Sequence, residues 1–231
     1  MKRFFKDVSL AEEGGGYAVE LDGRIAKTAG RRPLSTPQKG LADGLVAEWN
    51  AQEDEIDLKS MPLTRLQGFV IDGGEAARPE WQDTVLSYAS SDLLCYRASD
   101  PVLAKRQADL WQPTLDGLAT RFGHPFVVTE GVIAVDQSPA LLDAINVALS
   151  QDLVGTVLST KLMTEILGSA ALAIAVRHHS LCADEAFTAS RLDETYQAEK
   201  WGTDTEATAR DAAIRDELTH IVRFMRLSEE S

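Results

Sequence analysis

The residues best placed to do chemistry lie together near the end of the chain, in SRLDETYQAEKWG, with Asp193, Glu194, Tyr196, Gln197, Lys200 and Trp201 inside nine positions. Two carboxylates invite an acid–base reading. On a helix, however, neighbouring residues diverge by about 100°, a poor geometry for two acids flanking one scissile bond. Taken as one helix over 183–201, the stretch has two sides that avoid solvent. Cys182, Ala186, Ala189, Leu192 and Tyr196 form an apolar stripe, with Asp193 and Lys200 inside it. Phe187, Ser190, Glu194, Gln197 and Trp201 form a second strip. A carboxylate in an apolar stripe must be paired, neutral or turned to a partner. Asp193 therefore either meets a base such as Arg177 or Lys200, or belongs with the second strip to a surface that binds another protein. A hydrolase using Asp193, Glu194 or the His178–Cys182 cluster is the catalytic alternative, and a helical scaffold with another client is the non-catalytic one.

Other chemistry is thinly represented. No G-x-S-x-G elbow occurs, and Ser169 after Gly168 reads as a small pair inside an apolar helix. His178, His179 and Cys182 cluster, but adjacent histidines point to different helix faces. A cationic helix C-terminus explains them better than a metal. The run Gly14–Gly16 precedes a strand pattern, not a helix, and no GK[ST] follows, so it reads as a turn. No cofactor fingerprint is present. Cys95 and Cys182 are too few for a disulfide framework and read as buried thiols.

The elements that would position these residues form two blocks. In the first, Asp22-Gly23 joins the short runs Tyr17–Leu21 and Ile25–Thr28 as a hairpin. Thr36 and Pro37 then open a helix whose Leu41, Leu45 and Trp49 share one face. From Met61 the pattern is mainly helical: Pro62, Pro79 and Pro101 mark helix starts, Gly73-Gly74 and Gly123 punctuate, and helices are expected at about 139–150, 152–178, 183–201 and 203–228. Thr203 and Glu206 would cap the last of these. One stretch, Pro125–Val135, is β-rich. The expected fold is α+β: an N-terminal two-layer domain of hairpin sheet plus helix at 1–58, then a mainly α-helical orthogonal bundle at 59–231 with a strand segment at 125–135.

The bulk numbers narrow the partners. With 36 acidic against 23 basic residues the net charge is −13, which phosphate backbones and anionic bilayers repel. The apolar run Ile166–Val176 is far shorter than the roughly 20 residues that span a bilayer. No signal-peptide or transit pattern opens the chain. A monomeric, cytoplasmic bacterial protein that binds neither nucleic acid nor membrane is expected.

Six ordered blocks together resemble one family. They are AEWNAQ (47–52), MPLTRL (61–66), SDLLCYRA (91–98), RQADLWQP (106–113), LGSAALAIAV (167–176) and SRLDETYQAEKWG (190–202). The chain is similar to the assembly chaperones for the alpha subunit of the ATP synthase catalytic head, the assembly factor 2 type. Two departures stand out: Gln112 where the family pattern has aspartate, and QGFVID (67–72) in place of a more polar segment. The resemblance implies a non-catalytic protein without cofactor or metal. It would bind the unassembled alpha subunit, covering the surface destined for the beta partner. It implies contacts through the LDE acids Asp193 and Glu194, which with Gln197, Trp201, Phe187 and Ser190 make the expected partner-binding set. Relatives in eukaryotes would act in the mitochondrial matrix. Trp49 is expected in the core, and Tyr96 and Arg97 in structural roles.

Overall fold

The structure is a computed structural model and describes residues 1–131, 133–202 and 205–230, the side chains of residues 13 and 205–207 excepted. The fold is α+β: a small N-terminal sheet and its helix, then a mostly helical region. Two compact units emerge. One comprises residues 1–78, 153–159 and 220–231, and the other residues 79–152 and 160–219.

The first unit is built on two antiparallel hairpins. Strands β1 (Val8–Glu13) and β2 (Gly16–Leu21) pair with Glu13 opposite Gly16, leaving the two-residue turn Gly14-Gly15. Both turn residues have positive φ, 59° and 84°, as the tight hairpin turns matched to strand twist require. Gly14 and Gly15 are thus a turn, and Gly16 opens β2. Strand β3 (Arg24–Ile25) returns along β2 through Asp22-Gly23, also at positive φ, and β4 (Ser35–Thr36) pairs with β2 further along.

Helix α1 (Lys39–Asn50) packs on β1 and β2, with Leu41, Leu45 and Trp49 buried. Its start differs from expectation by two residues. Thr36 ends a strand, and its hydroxyl bonds Gln38, the residue at the cap. The segment QGFVID serves this unit. Gln67 donates to the Ser35 carbonyl at 2.7 Å, and the Asp72 carboxylate accepts from the Thr28 hydroxyl at 2.6 Å and the Gly30 amide at 2.8 Å.

Helix α2 (Pro62–Ser90) is broken at Gly74, whose φ of 52° and ψ of −148° suit only glycine. Its part from Pro79 onward belongs to the second unit. There follow β5 (Tyr96–Arg97), α3 (Pro101–Phe122), β6 (Thr129–Glu130), α4 (Pro139–Gln151), α5 (Val154–Leu167), α6 (Ala170–Arg177), α7 (Ala183–Ser190), α8 (Leu192–Trp201) and α9 (Thr205–Glu229). Within 125–135 the described strand is Thr129–Glu130 alone, parallel to Tyr96–Arg97. Along α9, Leu218, Ile221 and Met225 are buried, while Ile214 and Val222 are half-buried. The side chains of Thr203 and Glu206 lie outside the described residues.

Three sequence-based expectations need correction. The expected helix over 152–178 is two helices, because Gly168 takes a left-handed φ of 66° and the Ser169 hydroxyl caps the Leu172 amide at 3.1 Å. Ser169 is therefore a cap rather than a mid-helix packing residue. The expected helix over 183–201 is also two, broken at Arg191. Here the Trp111 indole N–H takes the Ala189 carbonyl at 2.9 Å, the group that would accept the Asp193 amide in a continuous helix. Cys182 is exposed, not buried, and its sulfur caps α7 in a capping box with Glu185.

Candidate partner-binding site

Helix α8 is held to the N-terminal end of α3 by a polar lattice. Asp100 caps α3, its Oδ1 accepting the amides of Val102 and Leu103 at 2.9 and 3.1 Å. The same oxygen accepts the Tyr196 hydroxyl at 3.0 Å, and Oδ2 takes the Lys200 ammonium at 3.0 Å. Lys200 foremost, then the Leu103 amide and Tyr196, hold this carboxyl down to about 2. Lys200 also lies 4.2 Å from the Tyr196 ring centroid, and the Arg106 guanidinium 5.2 Å from it. Arg106 bonds Glu199 at 2.7 Å. Exposed ion pairs contribute little singly, but several on one helix fix its rotation. Tyr196 is the buried anchor of α8.

That rotation decides which predicted residues face water. Glu194, Gln197 and Trp201 recur at i, i+3 and i+7 and none of them is buried; Trp201 is 69% exposed. Glu194 reaches back to Arg191 at 3.6 Å. Asp193, half-buried beside them, accepts the Gln107 amide at 2.8 Å. It meets neither base named from the sequence. Lys200 is spent on Asp100, and Arg177 pairs with Asp152 through two bonds of 2.5 and 3.1 Å. Among the described residues, Asp193 is thus a carboxylate held by one neutral amide, with acceptor capacity left over.

Phe187 and Ser190 do not join this strip. Both are buried, at 4% and 3%, because the break at Arg191 ends the angular relation that a continuous helix would have given. The Phe187 ring carries the Arg215 guanidinium 4.6 Å from its centroid, and the Ser190 hydroxyl donates to the Phe187 carbonyl at 2.8 Å. Gln107, Asp100 and Arg106 are supporting residues that sequence reasoning missed. Their signal was the block RQADLWQP and the Asp-Pro step before it. The departure Gln112 has a local explanation: it accepts from Arg97 at 3.1 Å and donates to Asp116 at 2.9 Å.

The remaining chemical candidates have structural duties. Burial foremost, and then Arg121 and Arg177, lower His178 to about 4, so it caps α6 as a neutral ring rather than a cation. Burial pushes the Cys95 thiol up to about 12, which makes it a poor nucleophile. Among the described residues no group of three His, Cys, Asp or Glu side chains could hold a metal, and no helix is long and apolar enough to cross a membrane. Trp49 is in the core at 8% exposure.

Comparison with known proteins gives one consistent result. The model of the ATP12 chaperone protein family matches residues 2–119. The crystal structure of Atp12 from Paracoccus denitrificans is similar at 35% identity, covering 99% of this chain and 98% of that one with a TM-score of 0.93. A point mutant of the same protein matches equally. A candidate chaperone from Agrobacterium tumefaciens is 37% identical, with 97% of this chain and 85% of that one covered and a TM-score of 0.91.

Proposed function

The chain belongs to the ATP12 chaperone family, and from that membership we propose that it is a non-catalytic chaperone of ATP synthase assembly that binds the unassembled alpha subunit. The observation that carries the reading is the strip Glu194, Gln197 and Trp201 on the open side of α8, with Asp193 beside it. An unassembled subunit of an obligate complex presents a large apolar interface that aggregates when uncovered. A chaperone must shield it and still let go. One exposed indole with an acid and an amide on the same face suits both requirements. The aromatic ring supplies contact area, and the polar groups fix orientation and exchange readily with water. Asp193, with unspent acceptor capacity, would take a donor from the client. The adjacent acids Asp193 and Glu194 are engaged by different partners, Gln107 and Arg191, an arrangement for binding rather than for bond cleavage. The protein would act as a monomer in the bacterial cytoplasm.

The test is co-purification with the alpha subunit of the same organism. A one-to-one complex is expected with free alpha subunit, and none with the assembled catalytic head. Asp193→Lys should abolish the complex at a cost in stability of only about 1 kcal/mol, the loss of the Gln107 bond, because the side chain is partly exposed. A variant that binds normally would remove Asp193 from the site. Failure of the unaltered protein to capture free alpha subunit would overturn the reading itself.

A further inference from the structure

The first unit holds a feature that the α8 strip does not use. Phe4, Phe5 and Trp49 form an aromatic ladder from surface to core: the Phe4 and Phe5 centroids are 5.5 Å apart at 84°, and Phe5 and Trp49 are 5.6 Å apart at 65°. Phe4 is 64% exposed. Beside the ladder is a cavity of about 560 Å³, walled by Phe4, Leu21, Ile25 and Trp49 and edged by Arg24 and Lys27. Neither cation has a side-chain hydrogen-bond or ion-pair partner among the described residues. The acid in the lining, Asp22, is turned to the backbone rather than to either cation. Its carboxylate accepts the amides of Asp7 at 2.8 Å and Lys6 at 3.0 Å, which hold its pKa below the ordinary value. The local charge also runs against the rest of the molecule. Residues 1–36 hold seven Lys and Arg against five Asp and Glu, in a chain whose totals are 23 and 36.

We propose that this cavity is a docking site for an acidic segment of a partner protein that inserts one bulky apolar side chain between Phe4, Ile25 and Trp49. Charge decides the class of occupant. Two cations without partners among the described residues outnumber the one acid in the lining, so this face of an otherwise anionic protein selects acidic sequences. The apolar walls select a segment with an aliphatic or aromatic residue at its centre, and the exposed Phe4 ring is the part of the ladder left to be covered. The volume accommodates about two or three such side chains, far less than a folded domain, so the occupant is a short segment. This site goes beyond the α8 reading and does not depend on it.

The test uses the full chain labelled with ¹⁵N and two synthetic peptides, Leu-Phe flanked by glutamates and Leu-Phe flanked by lysines. The indole N–H signal of Trp49 is the reporter. At low salt the acidic peptide should shift it saturably, with at least tenfold higher affinity than the basic one. Arg24→Glu combined with Lys27→Glu should weaken the acidic peptide at least tenfold. Phe4→Ser should do likewise, and all three positions are exposed, so an unchanged thermal midpoint shows that the fold survives. Trp201→Ala should leave peptide affinity unaltered, which separates this site from the alpha-subunit surface. Equal response to both peptides, no response to either, or indifference to charge reversal overturns the proposal. So does a Trp49 signal that moves with protein concentration alone while sedimentation reports a dimer, since the occupant is then a second copy.

Discussion

Asp92 and Asp193 are the same residue type in two of the six family-like blocks, and they do opposite work. Asp92 is fully buried. Its carboxylate accepts the Leu94 amide at 3.0 Å, the Ser169 hydroxyl at 2.7 Å and the Ala171 amide at 2.9 Å, at the N-terminus of α6. Burial raises its pKa, against the downward pull of the Ala171 and Leu94 amides and the Ser169 hydroxyl. Asp193 is half-buried and has, among the described residues, one amide, from Gln107. A carboxylate saturated by donors in the interior closes a junction between segments. One with spare acceptor capacity at the surface can offer it to another molecule. Residue identity does not separate the two cases; the number of donors around each does.

The contrast can be broken, or made sharper, by substitution. Asp92→Ala should have the largest effect, about 3–5 kcal/mol of lost stability by urea unfolding, because buried donors lose their acceptor at once. If it costs under about 1 kcal/mol, the junction reading fails. Trp201→Ala should cost about 2 kcal/mol of alpha-subunit binding by calorimetry, with no change in unfolding midpoint since the ring is 69% exposed. A large stability loss instead would move Trp201 from the contact class to the packing class. Gln107→Ala should cost about 1 kcal/mol of stability and weaken binding less than Asp193→Lys does, as it loosens Asp193 without removing it. The smallest effect is on pH. Asp100 has its carboxyl held down to about 2 from an unfolded value near 3.8, so its contribution is complete above about pH 4 and is lost as pH falls through 2. Asp100→Asn should flatten the thermal midpoint over that window relative to the unaltered chain.

Much of the fold was legible because it rests on local rules. The two hairpin turns follow from Gly14-Gly15 and Asp22-Gly23, whose residues tolerate positive φ. The buried face of α1 follows from the spacing of Leu41, Leu45 and Trp49. The strip Glu194, Gln197 and Trp201 was legible for the same reason, since all three lie on one uninterrupted helix. Phe187 and Ser190 were not, because their place on the strip depends on one helix running through Arg191.

What the sequence determined alone was therefore short-range: turn chemistry, helix faces, the acidic balance and the six blocks that carry the family likeness. What only the tertiary structure decided depended on groups distant along the chain. At the break before α8 the Trp111 indole, 78 residues away, takes the Ala189 carbonyl. The break before α6 stands where Asp92, 77 residues away, accepts the Ser169 hydroxyl that caps the new helix. Glycine and serine can mark a break locally, but which distant group meets the freed polar atoms is a matter of packing that no local pattern encodes.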